Sequence, residues 1–483
     1  MELEVLSWLL LAAHVFIVLI AAALISANRK PSAAIAWILA VIFVPVLGII
    51  FFLLVGFGKL PRSRRAKQRE VCEAVLSRTD GLDLVSHRYE WPTWLAPMVT
   101  MNRTLGSLPM VGGNSAELIE DYLGSIQAMA EAIDAAEHFV HVEFFILVAD
   151  EATEPMMAAM ERACARGVDV RVLSDHVAQF MYPYRKETLQ RFSAMGAHYQ
   201  PMLPLQPFRG RWRRPDLRNH RKLVVVDGVV GFTGSQNLVV DHYHKKGNVK
   251  RGLHWHELMV RLTGPTVREL DAVFVTDWYS ETDELLPLDT SPIRPATDAN
   301  LVDAQVLPSG PSFDNDNNLK LFASMIHNAR RRISITSPYY VPDETIQMAL
   351  VTAGSRGLDV ELFVSEIGDQ FMVFHAQRSY YEQLLQAGVK IYLYRAPTIL
   401  HAKHLSIDDD VAVIGSSNLD IRSLSLHMEL SVLVHGVHFT TGMRAVEDDY
   451  RSKSRQVLLE DWRKRPRREQ IFDNLMRLTS SLQ

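Results

Sequence analysis

A chain that carries one long pattern twice folds either as two like units or as one unit built from two halves, and this chain repeats itself after roughly 180 residues. Residues 139–173 read FVHVEFFILVADEATEPMMAAMERACARGVDVRVL, and residues 332–364 read RISITSPYYVPDETIQMALVTAGSRGLDVELFV. Each stretch opens on a β-branched run, passes an acidic loop and a helical segment, and reaches A-x-x-R-G-x-D-V before an apolar strand. Strand, helix and strand in that order predict parallel pairing within an α/β layer structure. A second helical stretch closes at Gly196 in the first copy and at Gly388 in the second. The period is far longer than that of solenoid repeats, so the copies are domain-sized. They are expected over 114–285 and 300–483. A Pro-, Thr- and acid-rich segment, 281–300, links them. Residues 61–113 read as a basic linker with an interfacial segment.

Both copies end on the same polar motif. The first has His220-Arg-Lys222-Leu-Val-Val-Val-Asp227, then Gly234-Ser235-Gln-Asn237. The second has His401-Ala-Lys403-His-Leu-Ser-Ile-Asp408, then Gly415-Ser416-Ser-Asn418. Every spacing agrees between the two. Asp227-Gly228 between apolar runs signals a hairpin, which puts His220 and Lys222 on the entering strand, two apart and on one face. His401 and Lys403 follow the same rule. Asp227 and Asp408 complete the motif and are counted with the catalytic set, although a turn position favours local hydrogen bonding.

Two such half-sites face to face offer two imidazoles, two ammoniums, hydroxyls and amides, which suits a phosphodiester. Lysines and asparagines can hold nonbridging oxygens as charge develops. One neutral histidine can attack phosphorus. The other can protonate the leaving alkoxide and later deprotonate the incoming alcohol. An ordinary imidazole, with a pKa of about 6.5, can do either job. The lysines supply positive charge, so no metal or cofactor is required. Ser235, Asn237, Ser416 and Asn418 are expected to bind substrate. A working histidine also needs its ring held, and Glu257 and Glu429, on corresponding E-L-x-V strands, are expected to hold one each.

The N-terminus is a separate region. Overall, 48% of residues are hydrophobic and 22% charged, an ordinary globular balance, so the apolarity of the first sixty residues is local. Residues 7–26 and 33–58 are uncharged runs, each at least as long as the roughly 20 residues a bilayer core needs. Trp8 and Trp37 suit the interface. Glu2 and Glu4 stand where a cleaved signal peptide needs positive charge. A two-helix transmembrane hairpin over 1–60 is therefore expected. Arg29 and Lys30 lie between the runs, and Lys59, Arg62, Arg64, Arg65, Lys67 and Arg69 follow the second. The larger cluster places the remaining chain on the cytoplasmic face.

These residues resemble the phospholipase D superfamily. The pair of apolar runs, L-R-N-H-R-K-L-V-V-V-D-G, G-F-T-G-S-Q-N, L-H-A-K-H and G-S-S-N-L-D-I-R-S are similar to its bacterial cardiolipin synthases over nearly the whole chain. The resemblance implies two tandem phospholipase D-like domains, each a mixed sheet flanked by helices, with pseudo-twofold symmetry. It implies transfer of phosphatidyl from one phosphatidylglycerol to another in the bacterial inner membrane, with release of glycerol, and no nucleic-acid partner. It further implies His220 as nucleophile and His401 as acid and base. Two departures from that family are His427, where Asn is common, and the basic insert 245–251 before Glu257.

Other features divide between function and plain structure. Residues 208–214, FRGRWRR, suit an anionic lipid surface or a solvated loop; residues 463–468 read as solvated. Residues 89–101, with Trp91, Trp94, Met98 and Met101, are interfacial or buried. His254-Trp-His256 lacks a third metal ligand, and residues 408–410 read as a turn. Net charge is −4, and Cys72 and Cys164 are too few for a disulfide framework or a cysteine-based zinc site. Hydrolysis by water, rather than transfer to an alcohol, is the competing enzyme reading. A nucleotide-activated, metal-dependent transferase lacks its D-G-x2-A-R string here. A non-catalytic lipid binder has no chemical need for both histidines, both lysines and both asparagines.

Overall fold

The structure is a computed structural model of the chain, describing residues 2–26, 31–56, 60, 62–78, 90–206, 214–287, 295–297, 300–313 and 316–480. Readings that rest on Arg29, Lys30, Lys59, residues 61 and 79–89 of the basic linker, residues 208–213, and residues 288–294 and 298–299 of the linker between the copies lie outside those residues.

The chain divides into two compact units, one of Met1–Lys59 with Arg214–Asp216 and one of Leu60–Arg213 with Leu217–Gln483. The first apolar run forms one helix, Glu2–Ser26, of which Val5–Ser26 is long and apolar enough to cross a bilayer. The second run does not form a matching helix. It is divided into Pro31–Phe43 and Pro45–Val55. Proline drives its preceding residue out of the helical region and lacks the N–H that would continue the ladder; Val44 sits at φ −137°, ψ 70°. Hydropathy does not register that break. Ile25, Ala34, Val41 and Phe52 pack the three helices together.

In the larger unit the first half supplies β1 (Met110–Ile119), β2 (Phe139–Phe144), β3 (Asp169–Asp175), β4 (His198–Met202), β5 (Lys222–Val226), β6 (Val230–Gly234), β7 (His254–His256) and β8 (Met259–Thr263). The second supplies β9 (Val302–Ser309), β10 (Arg332–Thr336), β11 (Tyr340–Val341), β12 (Asp359–Ser365), β13 (Lys390–Tyr394), β14 (Thr398–Leu400), β15 (His404–Ile407), β16 (Val411–Gly415), β17 (Leu419–Asp420), β18 (Glu429–His435) and β19 (Ser454–Val457). Among the described residues, fifteen strands form one mixed sheet in the order β19-β13-β12-β10-β15-β16-β18-β9-β1-β8-β6-β5-β2-β3-β4. β1 and β9 meet antiparallel at the middle, and the strands read outward from them in corresponding order on either side. β2, β3 and β4 are parallel, as are β10, β12 and β13, matching the strand–helix–strand pattern of both copies.

The repeated A-x-x-R-G string is explained by packing. Arg166 donates to the carbonyls of Ile133 and Ala136 at 3.1 and 3.3 Å, and Arg356 to those of His327 and Ala329 at 3.4 and 3.2 Å. Each arginine fastens one helix end to the end of the preceding helix. Gly167 and Gly357 then turn the chain at φ +86° and +82°, a left-handed conformation that favours glycine. β5 is buried along its whole length, as expected of a strand covered on both faces. The central helix Thr266–Thr282 packs beneath it, and Arg64 of the helix Arg62–Arg78 pairs with Glu281 at 2.5 Å.

Of the two readings of residues 91–101, the buried one holds, not the interfacial one. Trp91, Leu95, Met98 and Val99 join the core of the second half beside Leu321, Ile333 and Leu350. The Trp91 indole donates to Asp303 at 2.7 Å, so its polar edge is satisfied inside the protein.

Candidate active site

Both histidines lie just before their strands rather than on them, and short backbone pairings hold them there. β7 runs parallel to β14, and the amide of His401 donates to the carbonyl of His256 at 2.8 Å. In the other half-site Asn219 bridges Met428, and the amide of His220 donates to the carbonyl of Met428 at 2.8 Å. His256 and Met428 each precede a glutamate. Each histidine is therefore delivered to the glutamate of the opposite copy. His401 Nδ1 lies 2.7 Å from Glu257 Oε1, and His220 Nδ1 lies 3.1 Å from Glu429 Oε2. Sequence reasoning paired two glutamates with two histidines but did not reveal this exchange. A carboxylate on Nδ1 selects the tautomer that leaves the Nε2 lone pair free.

The lysines sit close behind. Lys222 donates to the carbonyl of His220 at 2.6 Å, and Lys403 to that of His401 at 2.5 Å. Both side chains are buried, as are both histidines and both glutamates. Phe145 lies against His220 with ring centroids 5.2 Å apart, and Tyr339 against His401 at 6.1 Å. These aromatics follow β2 and β10. Nothing in the sequence separates them from core aromatics at a strand end.

Burial drives most of the titration. It pulls His220 well below the ordinary imidazole range, and Lys222, Lys403 and His401 push the same way. It lowers His401 too, but Glu257 opposes it. Lys222 falls to about 7 and Lys403 to about 8, burial prevailing over the attraction of the glutamates. Burial raises Glu429 against the pull of Lys222. Burial also works upward on Glu257, but His401 and Lys403 outweigh it, and its pKa is lowered. The two pairs thus differ. Glu257 is held ionised beside His401, whereas Glu429 and His220 are both drawn toward their neutral forms.

The other expected site residues have partners within the protein. Ser416 Oγ donates to Glu429 Oε2 at 2.5 Å and accepts the Leu430 amide at 2.9 Å. Ser235 accepts the Leu258 amide at 2.9 Å and helps hold Glu257 down. These hydroxyls brace the carboxylates. The Asn237 amide is committed as well, accepting from the Ile146 amide at 3.2 Å and donating to the Tyr243 hydroxyl at 3.0 Å. Tyr243 in turn donates to Glu257 at 3.1 Å. Asn418 is buried beside Asp420, to which its side chain donates.

Asp227 and Asp408 stand at the far hairpins, roughly 16 Å along their strands from the lysines. Asp227 accepts the amides of Glu137, His138 and Phe139 at 2.7–2.9 Å. Asp408 accepts those of Arg330, Arg331 and Arg332 at 2.8–3.2 Å. Both gather the entrance of the neighbouring strand, in keeping with their turn positions. His254 pairs with Thr398, and His256 stacks on Tyr394. Among the described residues, Asp150, Glu151 and His244 alone bring three ligand atoms within metal-binding reach. Asp150 there already accepts the amides of Ala152, Thr153 and Val240. In the basic tail, Arg465 lies over Trp462 and pairs with Asp473 at 2.8 Å.

This geometry agrees with what the chain is similar to. The family model described as cardiolipin synthase, PLD-like domain, matches residues 129–278 and 322–447, one half-site in each span. The chain belongs to the PLD-like cardiolipin synthase family. A model described as phospholipase D-nuclease N-terminal matches residues 15–56. Cardiolipin synthase A of Proteus mirabilis is 30% identical over 481 residues, covering 98% of this chain and 96% of that protein. Cardiolipin synthase A of Salmonella arizonae is 30% identical over 489 residues, covering 99% of each. Phosphatidylserine synthase of Haemophilus influenzae shares the fold at a TM-score of 0.58 and 15% identity, over 79% of this chain and 99% of that one.

Proposed function

We propose that the two half-sites form one phosphatidyl-transferring centre that joins two phosphatidylglycerol molecules into cardiolipin and releases glycerol. Family membership makes the chain a phosphatidyltransferase that synthesises cardiolipin; the donor lipid, the intermediate and the residue roles are our reading. The observation that carries it is the pair of histidines, each fixed through Nδ1 by a carboxylate and each backed by a buried lysine.

His220 Nε2 attacks phosphorus of the first lipid. The phosphorus–nitrogen bond forms as the bond to glycerol oxygen breaks, and protonated His401 gives that oxygen its proton. His401 then takes the proton of a glycerol hydroxyl on the second lipid. That oxygen attacks phosphorus, the bond to His220 breaks, and cardiolipin leaves. The contrast between the pairs supports the division of labour: His220 is held neutral, as a nucleophile must be, and ionised Glu257 keeps His401 the better base. An anionic phosphodiester entering between Lys222 and Lys403 favours their protonated forms.

The halves are related by an approximate twofold axis at the β1–β9 pair, a reading supported by the corresponding strand orders. At the N-terminus, the two shorter helices together span about 36 Å at about 1.5 Å per residue, enough for a second, kinked crossing. Arg62–Arg69 then keeps the catalytic unit on the cytoplasmic side of the bacterial inner membrane.

The test is product analysis with purified full-length protein in phosphatidylglycerol vesicles, beside His220→Ala and His401→Ala. Cardiolipin and glycerol in equal amounts, lost in both variants, are expected. Phosphatidic acid as the main product would replace transfer by hydrolysis.

A further inference from the structure

Large apolar side chains rarely crowd an exposed surface without a partner, yet two loops beside the histidines carry them. The first follows β3 as the short helix Ala178–Met181, where Phe180 and Met181 are each 60% exposed and Tyr184 beyond it 46%. The second follows β12 and opens the helix Phe371–Arg378, where Phe371 is 66% and Met372 42% exposed. Both strands precede parallel neighbours, so these are corresponding loops of the two halves.

Each loop is wired to a histidine. Asp175 accepts the amides of Val177 and Ala178 at 2.9 and 3.1 Å, and also the amide of Asn219, next to His220, at 3.0 Å. Asp369 accepts the hydroxyl of Tyr339 at 3.0 Å, and the Tyr339 ring stands against His401. The loops also meet one another. Ala178, Tyr182, Ile367 and Ile399 share one small apolar cluster with Tyr243 and Trp255.

The third component is the basic insert that the sequence set apart. It forms the helix Lys246–Arg251, and Lys245, Lys246, Val249, Lys250 and Arg251 are all exposed. Arg251 donates to the carbonyl of Gly368, three residues before Phe371, at 3.5 Å. The same insert runs into β7 and then Glu257, the partner of His401. On the other loop Arg185 lies 4.1 Å over the Phe180 ring, with Lys186 exposed beside it. Apolar tips ringed by cations match an anionic bilayer: hydrocarbon accepts the tips, and headgroup phosphates meet the cations. Interfacial protein contacts are instead depleted in lysine.

We propose that Phe180, Met181, Phe371 and Met372, with the basic helix Lys246–Arg251, form a docking rim that seats the catalytic site on an anionic phospholipid surface. The rim holds the two histidines at the headgroup level, so each lipid enters without leaving the membrane. This deepens, and rests on, the reading that the substrates are membrane lipids.

The test uses the full-length chain in vesicles of phosphatidylglycerol and phosphatidylcholine, with Cys72→Ser and Cys164→Ser. Nitroxide labels are placed singly through Met181→Cys, Met372→Cys and, as a control, Val229→Cys in the far hairpin. Collision with oxygen and with a water-soluble nickel chelate reports depth. Labels at 181 and 372 should favour oxygen over nickel, while the label at 229 should favour nickel. Labels at 181 and 372 as open to nickel as the control would overturn the proposal, as would labels shielded from both reagents, which mark a protein contact. In parallel, reversing the four insert charges (Lys245→Glu, Lys246→Glu, Lys250→Glu, Arg251→Glu) should lower the ratio of turnover on vesicles to turnover on soluble short-chain phosphatidylglycerol by about tenfold or more; an unchanged ratio counts against the rim. Absence of cardiolipin from either lipid form sinks the functional reading instead, and the depth labels still decide the docking surface.

Discussion

The exchanged histidine–glutamate pairs predict which carboxylate governs which limb of the pH–rate profile. In the proposed first step His220 acts neutral and His401 acts protonated, so kcat/KM rises with pH as His220 loses its proton and falls as His401 does. Glu257 lies 2.7 Å from His401 Nδ1, both are buried, and it is the main influence raising that histidine. An ionised neighbour at such range is worth about one to three pH units, or about 1.4–4 kcal/mol. Glu257→Gln keeps a hydrogen-bond acceptor but removes the charge. His401 then loses its proton at lower pH, and the falling limb moves down by that amount. At a pH above the new limb, the rate drops roughly ten- to a thousandfold. Glu429→Gln leaves the falling limb in place, because its partner is His220. It lowers the rate through lost ring orientation, by about ten- to a hundredfold. The assay is the pH profile of glycerol release for wild type and both variants. A falling limb that moves in Glu429→Gln and stays in Glu257→Gln would refute the exchanged assignment, and unshifted limbs in both would refute the electrostatic argument itself.

Three further outcomes concern stability. Asp227→Ala and Asp408→Ala each leave several strand-entrance amides without their acceptor, so a loss of about 2–3 kcal/mol is expected in the melting transition, with turnover per folded molecule retained; a large fall in kcat at unchanged melting temperature makes the aspartate catalytic instead. Arg221 is buried, paired with Asp277, and donates to the carbonyls of Glu429 and Ser309, so Arg221→Leu strands buried carboxyls and costs about 3–5 kcal/mol by denaturant unfolding; an unshifted midpoint contradicts that. Burial holds His404 and His427 down to about 3 in the folded chain. Unfolding frees them to take up protons below about pH 6.5, so their contribution is full above that pH and drains away as pH falls toward 3, at about 1.4 kcal/mol per pH unit for each histidine. His427→Asn removes one of the two, and its melting temperature should drop less than that of wild type between pH 7 and pH 5.

The sequence reveals pattern well and partnership poorly. Duplicated spacing exposed the α/β order and both hairpins, because strand and turn signals are local. The exchange of Glu257 and Glu429 was hidden because it depends on β7 meeting β14, two three-residue strands 144 positions apart, and on the isolated bridge between Asn219 and Met428. The bracing contacts of Ser235 and Ser416 were hidden for a related reason: the carboxylate packed behind each hydroxyl is not visible in the local sequence. Residues 91–101 combine tryptophan and methionine in a way that serves a membrane interface or a core equally well, and the Asp303 acceptor of Trp91 is 212 residues away. The second apolar run satisfied hydropathy throughout while Pro45 broke its backbone.

The exchange also explains why the pattern occurs twice in one chain. Within the first copy alone, His220 has no orienting carboxylate, because Glu257 extends to His401; within the second, His401 lacks one for the same reason. The backbone pairings that hold each histidine likewise cross between copies, at His256–His401 and at Met428–His220. Neither half can therefore set its own histidine tautomer. Joining both in one sheet through β1 and β9 places the crossing contacts on a shared, buried framework, where the lost entropy of assembly is already covered by folding. It also frees the two half-sites to differ. Burial raises Glu429, whereas His401 and Lys403 bring Glu257 down, and Glu257 in turn supports the proton on His401; the two half-sites therefore differ in basicity, as the proposed division between nucleophile and proton carrier calls for.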